Sequence, residues 1–366
     1  MRGTWRTVVG SVALRALDEP VDRRLLAAVG LGWPALEVVV RAGQALDRPR
    51  PVRAPTFVVG HPRSGTTFLH RMLALDPRFA APTARQLLLP SATLQRAASL
   101  AARLPAVRRA AEDAERRWLR PWADRHATGW SEAEEDDWLL LHAGASPTLE
   151  LLTGEPGATR RWWFGDQLPA AERSAVMAWY TRCVGSLLAT FPASATWLSK
   201  NPHFTGWLRT LDATFPDARF VMIVRHPEEA VASRLALADR AWRRGPARPA
   251  TDRRFVELFE QSCLLYREAE AAWATLPPER AVRVGYDRLV ADPTAALVEV
   301  RARLGDAVEP AVVDRWRTAA ELAARRVPGE RARLRWFGID PRRVGDRLGD
   351  LGPLWETVGR GPGRRG

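Results

Sequence analysis

The chain has 366 residues, 46% of them apolar and 27% charged, with a formal net charge of +13 and two cysteines. At about 150 residues per domain this is roughly two domains, or one large α/β domain with an insertion. The usage excludes a disordered, collagen-like or disulfide-stapled chain. Cys183 and Cys263 lie in neither a C-x-x-C motif nor a metal-type His spacing. No metal site is expected, and the expected compartment is the reducing cytoplasm.

The positive charge by itself points to an anionic partner: nucleic acid, a membrane surface or a phosphorylated ligand. Of the 55 Lys and Arg residues, however, only Lys200 is lysine. The near-absence of Lys reads as a coding bias toward Arg, of which part of the charge is a side effect, and it marks Lys200 as a place where a compact ammonium is kept. No run reaches the ~18 apolar residues of a membrane span. The best stretch, Leu25 to Val40, is interrupted by Pro34 and Glu37. No leader-like apolar segment with a small-residue cleavage site is visible, so secretion is not expected.

In chain order, residues 1–54 read as an N-terminal helical segment packed on the main domain. Within it, Arg24 to Ala42 is also apolar enough to lie on a membrane surface. Residues 56–60 are β-branched and aromatic and predict a buried strand, followed by turn residues His61 to Gly65 and a helix from Thr66 to Leu75 that Asp76-Pro77 stops. Residues 84–190 predict a helical, Trp-rich insertion whose tryptophans belong either to a core or to a greasy acceptor pocket. Residues 195–200 predict a second strand that ends at Asn201-Pro202, with a helix through Leu211. Residues 218–225 predict a third strand, and Pro227 with Glu228 and Glu229 opens the next helix. Residues 281–285 predict a fourth strand and Asp287 to Leu304 a helix. The main domain is expected to run over 55–340, and 341–366 to be a basic, partly disordered tail. Strands alternating with helices predict an α/β fold: a three-layer parallel sheet with helices on both faces and ligands at the carboxyl ends of the strands.

Gly60-His61-Pro62-Arg63-Ser64-Gly65-Thr66-Thr67 has the G-x-x-x-x-G spacing of a phosphate-binding loop between a strand and a helix. Thr66 stands where a nucleoside triphosphatase carries its lysine, and no magnesium-holding acid is evident. A nucleotide kinase or NTPase is therefore the alternative reading, and a basic protein that binds anionic surfaces is a third.

These residues resemble the sulfotransferases that use 3′-phosphoadenosine 5′-phosphosulfate (PAPS), a P-loop NTPase-like fold. The likeness rests on His61 to Arg71 followed by Leu73 to Pro77, on Trp197 to His203, and on Phe215 to Pro227 with Ser233 beyond. Weaker blocks are His126 with Glu134 to Asp137, and Tyr286 to Val290 with Asp292-Pro293. The resemblance implies that Arg63, Ser64, Gly65, Thr66 and Thr67 hold the 5′-phosphosulfate. Arg225 and Ser233 would hold the 3′-phosphate, and Lys200 would contact the sulfuryl group or its bridging oxygen. Arg333 is a further candidate for the 3′-phosphate. A movable ammonium suits a bridging oxygen and a planar guanidinium a static phosphate. The leaving group is good enough that no metal is required.

An acceptor hydroxyl needs a general base, and His126, Glu135 and His203 are the candidates. Many relatives carry a glutamate near 83–87, where this chain has Thr83-Ala84-Arg85-Gln86. Glu132 to Asp137 also reads simply as a solvated helix start. The acceptor implied is a hydroxylated small molecule, lipid or glycoside. Peripheral membrane contact is expected and nucleic acid is not.

Overall fold

A computed structural model describes residues 33–118, 129–154, 156–242, 252–324, 332–352 and 354. His126, most of the N-terminal segment and residues 355–366 lie outside the described residues. The chain divides into two compact units. One comprises the described residues of Met1–Arg53, Pro77–Ser146 and Ser174–Ser199; the other comprises those of Ala54–Asp76, Pro147–Arg173 and Lys200–Gly366.

Five strands occur in chain order: β1 (Thr56–Val59), β2 (Phe79–Ala80), β3 (Thr196–Lys200), β4 (Arg219–Val224) and β5 (Ala281–Gly285). In the larger unit β4 pairs in parallel with both β1 and β5; Val58 lies opposite Val221, and Met222 opposite Arg283. β1 is buried along its whole length and β4 at every residue but its first. A strand covered on both faces cannot alternate polar and apolar residues, so both read as continuous apolar runs. Phe57 of β1 anchors the core, its ring 5.7 Å from Phe220 and from Phe215 and 5.8 Å from Phe204.

The helices are numbered in chain order. Those of the larger unit are α2 (Thr66–Leu73), α7 (Leu149–Thr153), α8 (Pro156–Trp163), α10 (Leu208–Thr214), α11 (Pro227–Trp242), α12 (Arg253–Trp273), α13 (Tyr286–Ala291), α14 (Pro293–Arg303), α15 (Pro310–Ala324) and α16 (Arg342–Leu348). The single helix expected from Asp287 to Leu304 is two, because Pro293 has no N–H to continue the ladder. Asp292 then caps α14 by accepting from the Ala295 N–H at 2.9 Å. The expected helix after Asn201 is a 3-10 turn over Pro202–Gly206, followed by α10. Ordered structure continues past residue 340: Val344 and Leu348 of α16 are buried in a cluster with Val231, Leu235 and Phe259.

The smaller unit holds α1 (Trp33–Ala45), α3 (Ala84–Leu88), α4 (Ala92–Ala101), α5 (Pro105–Trp118), α6 (Asp137–His142) and α9 (Ala170–Leu188). Its strand pair is β2 with β3, parallel, with Phe79 opposite Thr196. β2 is two residues long, too short to leave a periodic signal in the sequence. Among the described residues no helix is long and apolar enough to cross a membrane.

Candidate active site

The turn after β1 is built around two glycines. Gly60 sits at φ +144°, and a Cβ there would meet the Ile223 carbonyl oxygen at 2.5 Å. Its N–H donates to Thr205 Oγ1 and the Thr205 hydroxyl donates back to its carbonyl, both at 2.9 Å. Gly65 sits at φ +99°, where a Cβ would come 2.8 Å from the Tyr286 ring. Only glycine adopts these angles without strain. Gly65 also opens α2, and no side chain caps the helix. The first-turn N–H groups of Thr66 and Thr67 are therefore the donors that an anion takes at a helix start. Ser64 and Thr66 are buried and Thr67 is half-buried.

Arg63, between the glycines, is held at φ +71°. A non-glycine residue in that region carries about 1–2 kcal/mol of strain, and here its neighbours hold it. Arg225, just past β4, donates through Nη1 to the Arg63 carbonyl at 2.9 Å. The Arg63 Nε donates to Ser233 Oγ on α11 at 3.2 Å. Arg225 is itself fixed by Glu229 at 2.8 Å and lies over the Tyr286 ring at 4.3 Å. His61 stacks on Tyr266, with ring centroids 4.7 Å apart. Burial, reinforced by the Arg234 charge, pushes its pKa down to about 3 and keeps it neutral.

Lys200 ends β3 and is buried. The next residue, Asn201, donates its N–H to the Val58 carbonyl of β1 at 3.2 Å. Within the larger unit Lys200 and Asn201 therefore lie beside β1, which in turn pairs with β4. Lys200, the 60–67 turn and Arg225 leave three neighbouring carboxyl ends on one side of a parallel sheet.

His203 lies three residues beyond Lys200, in the 3-10 turn. Its N–H donates to Asn201 Oδ1 at 3.0 Å, and its ring stands edge-on to Trp163 at 4.4 Å. The Trp163 Nε1 donates to Glu150 at 3.0 Å, and Glu150 pairs with buried Arg234 at 2.9 Å. Arg234 also covers the Trp163 ring at 4.3 Å. Consecutive residues of α11 thus serve two purposes: Ser233 steadies the glycine-bounded turn, and Arg234 steadies the wall behind His203. Sequence reasoning did not single out Glu150, Arg234, Thr205 or Tyr266, whose partners lie far away along the chain. Arg333 is exposed and directly precedes a 3-10 turn, Leu334–Phe337, whose Leu334 and Phe337 are buried.

The acidic run in the smaller unit is not a solvated helix start. Glu134, Asp136 and Asp137 are buried, while Glu135 is half-buried with its N–H on Glu134 Oε1 at 2.9 Å. Asp136 Oδ2 accepts from Tyr180 Oη at 2.5 Å and from Trp197 Nε1 at 3.2 Å. Burial raises the Asp136 pKa to about 6. Where the relatives' glutamate would stand, Thr83 and Gln86 form a capping box that starts α3.

A parallel sheet whose first strand leads through a glycine-bounded, arginine-clamped turn into a helix defines an α/β phosphate-binding fold. The sequence profile of the sulfotransferase family matches residues 55–310, and the protein belongs to that family of enzymes. Among curated proteins it is similar to the omega-hydroxy-beta-dihydromenaquinone-9 sulfotransferase Stf3 of Mycobacterium bovis. It is 26% identical over 264 residues, which is 69% of this chain and 62% of that protein. The Mycobacterium tuberculosis Stf3 gives the same figures. The match thus spans less than two thirds of those relatives' length. Among solved structures the fold is shared with sulfotransferase STF9 of Mycobacterium avium, at a TM-score of 0.72 and 19% identity over 98% of this chain and 93% of that one. It is also shared with STF1 of M. tuberculosis, at a TM-score of 0.65 and 20% identity over 95% of this chain and 92% of that one.

Proposed function

We propose that the protein moves a sulfuryl group from PAPS to a hydroxyl of a small-molecule, lipid or glycoside acceptor. The observation that carries this reading is the set of neighbouring strand tips, which puts Lys200, the 60–67 turn and Arg225 on one side of the sheet. The donor fits these residues: two glycines give the turn its positive-φ backbone, and an uncapped helix start offers N–H groups to an anion. When bound, PAPS supplies an activated sulfuryl group on a phosphate leaving group. Arg63, Ser64, Gly65, Thr66 and Thr67 bind the 5′ end. Arg225, Ser233 and the exposed Arg333 bind the 3′-phosphate, Arg225 by its planar fork. Lys200 presents its ammonium where negative charge develops, and preorganised charge there is worth about 3–4 kcal/mol.

His126, Glu135 and His203 remain the candidates for taking the acceptor proton. Of these, His203 shares the larger unit with Lys200. The Stf3 relatives are named for a hydroxylated menaquinone, which supports a lipid alcohol as one acceptor class for this chain.

Ligand-dependent melting tests the reading. Adenosine 3′,5′-bisphosphate at about a hundred times its Kd should add roughly 2.7 kcal/mol of stability, and ATP at the same concentration far less. Equal shifts, or a shift by ATP that needs magnesium, would favour a kinase or NTPase.

A further inference from the structure

A second basic feature stands in the smaller unit, in a groove of about 640 Å³ between α3, α4 and the end of α9. Three guanidinium groups line it: Arg85, Arg96 and Arg103. Among the described residues none of the three has a carboxylate partner. Arginines farther along α5 do have one, as Arg108 has Glu112 and Arg116 has Asp113. Arg85 donates only to Ser99 Oγ, at 3.3 Å.

The groove is rigid in construction. Buried Gln95 donates its carboxamide to the Arg85 and Leu89 carbonyls, at 3.2 and 2.7 Å, and so ties α4 to α3. Gln86 reaches across to Thr190 Oγ1 at 3.3 Å. Ser91 caps α4 by accepting from the Leu94 N–H.

Leu100 lines the groove and is 59% exposed; Leu104 and Val107, next along the chain, are exposed aliphatics at 59% and 39%. Val38, Val39 and Leu46, on and just after α1, are exposed aliphatics in the same unit. Asp47, two residues past α1, fastens that helix end to α4 by accepting from the Ala92 and Thr93 N–H groups.

Unpaired arginine forks match a phosphate, which they grip in a bidentate manner. A soluble phosphate ester would use the arginines and leave the exposed Leu100, Leu104 and Val107 in water. A lipid phosphate at a bilayer surface uses both, with charge in the headgroup layer and leucines at the acyl boundary. We propose that this groove is a docking site for the phosphate headgroup of an anionic membrane lipid and that it seats the smaller unit on a bilayer surface. The proposal does not rest on the sulfuryl-transfer reading; it gives the expected peripheral membrane contact a location.

Vesicle co-sedimentation of the full chain tests it, using phosphatidylcholine vesicles with and without about one phosphatidylglycerol in three. Wild type should bind the anionic vesicles and release as salt rises past the point where the Debye length falls below about 8 Å. Each basic residue near such a surface changes partitioning about fivefold. The triple variant Arg85→Gln/Arg96→Gln/Arg103→Gln should therefore lose about a hundredfold. A charge-matched control, Arg253→Gln/Arg303→Gln/Arg317→Gln, should lose far less. Leu100→Ser/Leu104→Ser should weaken binding on the same vesicles. Equal losses in both triple variants would reduce the effect to net charge and overturn the proposal. So would absence of vesicle binding by wild type, or protection by inorganic phosphate without any vesicle binding. Should the groove triple fail to fold, the exposed single changes Arg103→Gln and Leu104→Ser carry the same comparison.

Discussion

Arg63 and Ser233 stand 170 positions apart in the chain and are joined through Nε and Oγ at 3.2 Å. The bond ties a strained turn residue to α11, while Arg225 holds the same residue by its carbonyl. The turn is therefore braced from the β4 side before any anion arrives. Preorganisation of this kind spares the ordering cost of binding. Arg225→Ala removes the brace and, with it, the donor proposed for the 3′-phosphate. It should weaken binding of adenosine 3′,5′-bisphosphate by about 2–3 kcal/mol, the range for hydrogen bonds to a charged group. Titration calorimetry measures this, and unchanged affinity would misplace the 3′-phosphate. Ser233→Ala should cost less, about 1 kcal/mol.

Lys200 is the test of transition-state stabilisation. Lys200→Met keeps the stem and removes the charge. Turnover should fall about 10²–10³-fold, as when a single oxyanion donor is lost. Nucleotide affinity should stay within a few-fold of wild type. Comparing kcat with the Kd for the bisphosphate separates the two effects. A variant that loses only affinity would make Lys200 a binding residue.

The sheet and the glycine-bounded turn after β1 were legible because their signals are local. Thr56 to Gly65 carries a buried strand, two glycines and an arginine within ten positions, and Arg219 to Arg225 ends a continuous apolar run at a charge. The bracing was not legible. Glu150 meets Arg234, and Thr205 meets Gly60, only after folding, and neither pair leaves a spacing to read. The acidic run misled for the same reason. Asp136 looks solvated until Tyr180 and Trp197 are brought over it. The Asp292-Pro293 pair lies inside the run from Asp287 to Leu304 that read as one helix; a proline at a first helical turn both ends one helix and starts the next.

Gly60→Ala tests the close approach of β1 to β4. The new methyl would meet a backbone carbonyl of Ile223, which cannot swing aside as a side-chain tip could. Strain at a positive φ and the clash together should cost about 2–4 kcal/mol. The melting temperature should drop by several degrees without ligand. An alanine variant as stable as wild type would mean that the turn has room it lacks here.

The acid side of the stability curve should report three buried groups. Burial, the first cause in each case, lowers His61 to about 3 and His142 to about 4, from an ordinary value of 6.5. Between about pH 6.5 and 4 the unfolded chain binds these protons and the folded chain does not, so stability falls as pH falls. Each histidine contributes about 1.4 kcal/mol per pH unit. Asp136 has the opposite sign. Burial lifts it from 3.8 to about 6, so between those values the folded chain holds a proton that the unfolded chain has released, and stability rises as pH falls. Asp137, Tyr180, Ser199 and Trp197 are the groups that act on it. The net slope in the shared window should be that of about one histidine. Asp136→Asn keeps an oxygen for Tyr180 and Trp197 and abolishes the titration, so the acid limb should steepen by about 1.4 kcal/mol per pH unit. His142→Gln should flatten it by the same amount. Denaturant melts between pH 4 and pH 7 give the slopes. An Asp136→Asn curve parallel to wild type would show that this carboxylate ionises normally, with water reaching it between Tyr180 and Trp197.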